Sequence, residues 1–337
     1  MDIISKIEQA GLVGRGGAGF PVAKKWEAVK NAAGDKKYVV CNAAEGEPGV
    51  LKDDYILEHY ADRLIDGIKI AIDFLSERRP TSTGRRTSGY LYLRHDYYKK
   101  FRKKLAALIK NSAIEIFVEP LSAGYIGGEE SAVLNAIEGQ RIEPRLKPPL
   151  PAVRGLWNRP TLINNAETFY NVSLAAAGGY NNKRFYTISG DCLNEGVYEL
   201  ADDWLIEKIL RHTNNYPKFE FFLQAGGGAS GEVLNAGQLA RPVGGAGSIA
   251  VFSLAKHDFK KTVKNWLDFF IKESCGQCAP CREGVLRLRE VLIAEKIDWN
   301  LFNELLDNLS DASLCALGAS VSAPIRSLVN NVFQQVS

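Results

Sequence analysis

The sequence predicts an α/β fold class: a Rossmann-like domain with a largely parallel sheet over residues 1–180, a small β-grasp-like module over 181–255, and a carboxy-terminal four-helix bundle over 256–337. Three observations carry this reading. Helical and strand-like segments alternate from residue 21 to 120, as parallel strand–helix units do. Between Arg184 and Leu254 short strands surround one helix, and after Lys256 apolar residues recur at helical spacing.

Taken in order, residues 2–10 read as a polar helix, and Phe20-Pro21 opens a second, proline being suited to a first helical turn. Lys37-Tyr38-Val39-Val40-Cys41 reads as a buried strand. Leu64, Ile65, Ile68, Ile72 and Leu75 make one helical stripe from Ala61 to Ser76. Tyr90 to Leu93 and Ile114 to Val118 are the next strands, with a helix between them whose apolar stripe is Tyr97, Phe101, Leu105 and Leu108. Its lysines, Lys99, Lys100, Lys103, Lys104 and Lys110, read as a solvated face, with docking of an acidic partner the sharper alternative. The proline-rich stretch from Pro144 to Pro160 is expected to end the alternation and lead into a helix from Glu167 to Ala177. Strands then follow at Phe185–Ser189, Gly196–Leu200, Phe219–Gln224 and Ser248–Leu254, with a helix at Asp203–Arg211. Val263, Trp266, Leu267, Phe270 and Ile271 begin the last region, completed by helices at Val285–Ala294, Leu301–Leu309 and Pro324–Gln334.

Composition narrows the function classes. A hydrophobic share of 46% over 337 residues supports more than one core, while a net charge of +3 and a pI near 8.4 are too mild for nucleic acid as principal partner. No charged start leads into an apolar stretch and no long apolar run occurs, so a cytoplasmic chain without direct membrane insertion is expected.

Cys275, Cys278 and Cys281 stand two residues apart in Cys-Gly-Gln-Cys-Ala-Pro-Cys, a spacing that lets three thiolates hold three corners of a cubane iron–sulfur cluster. A fourth ligand must come from elsewhere, and Cys315 is the candidate ahead of Cys41 and Cys192. Structural zinc is the competing reading, although zinc sites usually present paired C-x2-C knuckles.

Gly14-Arg15-Gly16-Gly17-Ala18-Gly19 satisfies G-x-G-x-x-G, but the strand that should precede a dinucleotide fingerprint is missing. Its stronger feature is the helix that follows, whose backbone donors, with Arg15, Lys24 and Lys25, suit an anion. Asn42-Ala43-Ala44-Glu45-Gly46-Glu47-Pro48-Gly49 leaves the carboxyl end of the first strand, where open α/β sheets bind ligands. Its carboxylates suit hydroxyl or amide donors such as a ribose, against the plainer reading of a solvated acidic turn. Gly128-Glu129-Glu130 opens another helix, and Asn164 and Asn165 add paired amides.

These segments occur in one order: Gly14 to Pro21, Asn42 to Pro48, Gly128 to Glu130, Lys147-Pro148-Pro149, Arg159-Pro160-Thr161 with Asn164-Asn165, and Ser274 to Gly284. Together they resemble the NADH-binding flavoprotein subunit of respiratory complex I and its relatives in NAD-linked hydrogenases and formate dehydrogenases. The resemblance implies FMN held by Gly14, Arg15, Gly16, Gly17 and Gly19 together with Asn42, Glu45, Tyr125, Gly128, Glu129, Asn164, Asn165 and Thr168, with NADH stacked over its ring. It implies nucleotide contacts from Phe20, Lys25, Glu47 and Glu130, an SLBB-type β-grasp domain, and a bundle in which Cys275, Cys278, Cys281 and Cys315 ligate a 4Fe–4S cluster. Ala44 stands where the family usually has aspartate, Gly127 where cysteine is common and Leu150 where phenylalanine often follows, departures expected to weaken cofactor affinity. The segment before the glycine loop is short and nothing ferredoxin-like follows Ser337, so a minimal version of the family is expected.

The implied reaction passes hydride from nicotinamide to flavin and single electrons out through the cluster, with no side chain acting as acid or base. Arg282, beside a ligand, would raise the cluster's potential. One flavin and one cluster make an incomplete circuit. A thioredoxin-like 2Fe–2S subunit and a further catalytic module, such as a hydrogenase, formate dehydrogenase or complex I arm, are the expected partners. The alternatives are a flavin relay that has lost nicotinamide binding and a zinc-stabilised structural adaptor.

Overall fold

The computed structural model describes residues 2–76 and 87–333, in two compact units: Met1–Gly46 with Leu51–Lys183, and Glu47–Val50 with Arg184–Ser337. The last residue of the expected final helix, Gln334, lies outside the described residues.

The first unit opens with α1 (Ile3–Gln9), capped by the Asp2 carboxylate, and α2 (Val22–Asn31). Alternation then builds β1 (Tyr38–Ala43), α3 (Lys52–His59), α4 (Ala61–Leu75), β2 (Ser88–Leu93), α5 (His95–Ile109), β3 (Ile114–Val118) and α6 (Glu130–Ile137). It continues through β4 (Thr161–Asn165) into α7 (Ala166–Ala176). The four strands are parallel, in the order β3-β2-β1-β4.

Strand β4 and helix α3 depart from expectation. The proline-rich stretch does not end the alternation, because Thr161-Leu162-Ile163 after Pro160 supplies a buried strand that pairs with β1. Two asparagines at its end hid it, since asparagine is depleted in strands. The charged run Lys52-Asp53-Asp54 concealed α3, in which Lys52 and Asp53 are themselves buried.

Strand alternation sorts the sheet's faces. Tyr38, Val40, Tyr92 and Ile163 pack against Val133, Leu134 and Ala136 of α6. Helices α4 and α7 cover the sheet opposite and touch each other closely. At Gly67 a Cβ would lie 1.9 Å from the Phe169 carbonyl oxygen.

The second unit begins with a five-stranded sheet in the order β6-β5-β9-β7-β8. Its strands are β5 (Lys183–Gly190), β6 (Gly196–Ala201), β7 (Phe221–Ala225), β8 (Glu232–Asn235) and β9 (Ser248–Ser253). β5 runs parallel to β9, and β7 antiparallel to both β9 and β8. Short β8 was not expected from the sequence. Helix α8 (Ile206–His212) buries Ile206, Ile209 and Leu210 on Tyr186, Ile188, Leu223, Ile249 and Val251.

Helices α9 (Phe259–Glu273), α10 (Val285–Ile293) and α11 (Trp299–Ala312) follow, then short α12 (Ala316–Ala319) and α13 (Ser322–Asn331). α10 packs on α9 and α11, and α13 on α11 and β8. The Asn331 amide donates to Val233 O at 2.6 Å and Val233 N–H donates to Ser327 Oγ at 2.9 Å, so sheet and helices are joined by specific bonds.

Because α4 and α7 meet with no room for a methyl at Gly67, Gly67→Ala should cost about 3 kcal/mol or more in urea unfolding of the first unit. A change within about 0.5 kcal/mol, the range of neutral surface substitutions, would contradict the packing.

Candidate functional site

Chain order reverses between β1 and β4, so the crevice at their carboxyl ends is the topological switch point where open α/β sheets bind ligands. In register there, Asn42 lies opposite Asn165 and Cys41 opposite Asn164. Adjacent strand residues face opposite ways, and the two asparagines accordingly do different work. The buried Asn164 amide bridges Trp26 Nε1 and the Ile163 carbonyl, each at 2.9 Å, and holds α2 to the sheet. Asn165 turns into a charged centre.

That centre is built on Lys52, whose side chain is only 3% exposed. Its ammonium lies 2.6 Å from Asp53, 3.7 Å from Glu167 and 3.8 Å from Glu45, and donates to Asn165 Oδ1 at 2.9 Å. The Asn165 amide donates in turn to Asp53 Oδ2 at 2.8 Å. Burial works against the Lys52 charge, but Asp53, then Glu45 and Glu167, outweigh it and raise its pKa. Burial foremost, and then the Asp53 charge, push Glu45 up to about 8. Glu45 Oε2 accepts from Asp53 N–H and from Tyr97 Oη, each at 3.1 Å. Glu45 Oε1 is buried with no hydrogen-bond partner among the described residues.

The glycine loop is tied to this crevice. Arg15 N–H donates to Thr168 Oγ1 at 2.9 Å, and a Cβ on Gly16 would meet Asn165 Cβ at 3.3 Å. Gly14 N–H donates to Phe20 O at 2.8 Å, closing the loop between α1 and α2. Gly17 and Gly19 have φ of +116° and +64°, and Cβ atoms there would meet nothing within 4 Å. The loop's backbone is thus open to a ligand, and Phe20 is 53% exposed beside it.

Opposite, Asn42 Nδ2 donates to Gly128 O at 2.8 Å, and Tyr125 packs so closely on Gly46 that a Cβ there would lie 3.2 Å away. Glu129 caps α6, accepting from Ser131 and Ala132 N–H at 2.8 and 3.0 Å. Glu130 lies 3.4 Å from Lys25 and 2.9 Å from Lys147. Burial opposes its charge, but the two lysines prevail and lower its pKa. Ala44 lies in the core against α6, and Leu150 is exposed. Glu47 belongs to the second unit, where its carboxylate accepts from Ala229 N–H at 2.9 Å and Ser230 N–H at 3.3 Å.

Sequence reasoning missed Lys52, Asp53, Glu167 and Tyr97. An adjacent lysine and aspartate read as a solvated turn, and only the pairing of β4 with β1 reveals their burial.

The second unit gathers the cysteines. Burial pushes the Cys281 thiol up to about 11, the Ser274 hydrogen bond opposes this, and the thiols of Cys278, Cys315 and Cys275 add to it. All four thiols are therefore close enough to sense one another. Among the described residues no three His, Cys, Asp or Glu converge as ligands of a single ion do. A cubane, which binds each thiolate through a different iron, asks for wider spacing. A Cβ on Gly318 would lie 3.0 Å from Cys281 Cβ and 2.4 Å from Ser313 Oγ. That Ser313 hydroxyl is buried without a hydrogen-bond partner among the described residues, which fits a cavity lined for a group with acceptor atoms.

Comparison with known proteins agrees with both sites. The profile of the Nuo51 FMN-binding domain matches residues 7–174, and that of the NADH-ubiquinone oxidoreductase-F iron-sulfur binding region matches 261–336. The F subunit of the NADH-quinone oxidoreductase of Aquifex aeolicus is 35% identical, over 96% of this chain and 83% of its own. That of Escherichia coli is 33% identical, over 84% of this chain and 70% of its own. The crystal structure of an NAD+-reducing [NiFe]-hydrogenase in the H2-reduced state superimposes with a TM-score of 0.87 at 29% identity, over 99% of this chain and 61% of that one.

Burial of Glu45 has a consequence for stability. The native carboxyl keeps its proton up to about pH 8, whereas the unfolded one releases it near 4.5, so between these values the native state binds more protons. The free energy of unfolding should therefore fall as pH rises through that window, with a slope of up to about 1.4 kcal/mol per pH unit. Glu45→Gln should flatten the slope in chemical denaturation at pH 5 to 8; a variant as steep as the parent would contradict the assignment.

Proposed function

The chain belongs to the family of NADH-quinone oxidoreductase F subunits, and from this membership we propose which residues serve its flavin, nucleotide and cluster. It is an NADH dehydrogenase-type oxidoreductase subunit that exchanges hydride between NADH and FMN and passes electrons through a 4Fe–4S cluster. Bound FMN supplies a hydride acceptor able to release electrons singly, and the cluster supplies a one-electron carrier.

The open backbone of the Gly14–Gly19 loop and the amino end of α2 hold the flavin phosphate, with Lys25 adding charge. Lys25 and Lys147 keep Glu130 ionised, so that it accepts from hydroxyl or amide groups of the cofactors. Asn42 holds the Gly128 turn, Thr168 holds the glycine loop, and Glu129 sets the start of α6. Tyr125 and Glu45 back the same crevice, while Phe20 offers an exposed ring for stacking. Glu47 is assigned to the nucleotide on the family resemblance. Cys275, Cys278, Cys281 and Cys315 ligate the cluster, supported by the mutual influence of their thiols.

The sheet under α8 is read as an SLBB-type β-grasp domain over 181–255, and the helices of 256–337 as a bundle carrying the cluster. Partners of the relatives point to a multisubunit complex, with a 2Fe–2S protein taking the electrons. No helix among the described residues is long and apolar enough to cross a membrane.

One observation carries the reading: an open glycine loop at the β1/β4 switch point and four mutually sensing thiols in one chain. Anaerobic NADH should bleach the visible flavin band of the reconstituted protein. Cys315→Ser should keep that bleaching and lose the iron signal. A flavin that stays oxidised under excess NADH would overturn the nucleotide assignment, and an unchanged cluster in the variant would overturn the ligand assignment.

A further inference from the structure

Ser274 is the residue between α9 and the first cysteine, and its hydroxyl stands at the centre of the cysteine loop. Its Oγ lies 3.3 Å from Cys281 Sγ and accepts Gly276 N–H at 3.2 Å. A hydroxyl has one hydrogen to give and two lone pairs to accept with. The Gly276 N–H occupies a lone pair, which leaves the Ser274 hydrogen for the sulfur.

While Cys281 is a free thiol, either atom of the pair can be the donor. Metal ligation removes that freedom, because a coordinating cysteine is a thiolate and has no hydrogen to give. Once Cys281 binds iron, Ser274 must donate and the sulfur must accept. Cys281 is the buried member of the set and the other three are half-buried, so a fixed hydroxyl replaces water most completely at this ligand.

The loop is held so that this contact persists. Gly276 adopts φ +75°, and its carbonyl accepts from Arg282 Nη1 at 2.8 Å. Arg282 N–H donates to Cys278 O at 3.0 Å, and Arg282 Nε pairs with Glu283 at 2.8 Å. The Gly276 peptide is thus gripped on both sides, its N–H by Ser274 and its carbonyl by Arg282.

We infer that Ser274 is a positioning residue that donates a hydrogen bond to the Cys281 thiolate and thereby raises the reduction potential of the cluster. Hydrogen bonds to ligand sulfurs withdraw charge from such centres and favour the reduced state. The inference deepens the ligand assignment made above and rests on it.

The experiment is an anaerobic redox titration of the full chain, following the electron paramagnetic resonance of the reduced cluster, in the parent, Ser274→Ala and Ser274→Thr. Iron and flavin contents are measured in each. The alanine chain should titrate at a more negative potential with unchanged iron, and the threonine chain, which keeps the hydroxyl, close to the parent. Equal midpoints for alanine and parent would overturn the inference. Should the alanine chain lose iron, resonance Raman spectra of the parent in H2O and D2O decide: an iron–thiolate stretching mode that moves on exchange supports the donated bond, and one that does not move overturns it. A parent chain reconstituted anaerobically that holds no cluster would instead remove the ligand assignment, and with it this inference.

Discussion

One buried ammonium organises the flavin end of this protein. Lys52 gathers Asp53, Glu45 and Glu167, and through Asn165 it joins the end of β4 to the start of α3. A cation so buried persists only when paired and hydrogen-bonded, and carboxylates so close persist only when one of them carries a proton or a cation lies between them. Glu45 takes the proton and Lys52 supplies the cation. The arrangement leaves the crevice floor rigid and polar, with the glycine loop laid against it through Thr168 and Asn165.

The position of β4 gives that centre its meaning. Were β4 absent, β1 would be an edge strand and Asn42 would face no partner. Pairing of β1 with β4 makes the reversal of strand order that opens a crevice, and the elements that line it come from distant parts of the chain. The cysteine end uses a different device. There the ligands come from two loops at helix ends, and small residues such as Gly318 let those loops approach. Charge is managed by hydroxyls rather than by ions, as suits a group whose potential depends on the hydrogen bonds to its sulfurs.

Much of this was legible in the sequence for a physical reason. The helical stripe of α4, the apolar strands β1 to β3 and the cysteine spacing are local patterns, and each survives in the structure as read. Motifs with a backbone requirement, such as the glycine loop, were equally plain, including the absence of a strand before it. The failures share a cause. Strand β4 carries asparagines, α3 carries charges and β8 has four residues, so each exists because of its neighbours rather than its own composition. Lys52, Asp53 and Glu167 were missed for the same reason, since burial of a charged residue is decided by tertiary pairing.

The most direct test of this account is to remove the cation. Lys52→Met leaves Asp53, Glu45 and Glu167 buried together without their counter-charge, a loss of about 3–5 kcal/mol when one partner of a buried pair is taken away. Flavin and iron stoichiometry, measured together on the variant after anaerobic reconstitution, separate the two ends of the molecule. The account predicts that FMN is lost while iron is retained; a Lys52→Met chain that binds FMN as tightly as the parent would contradict it.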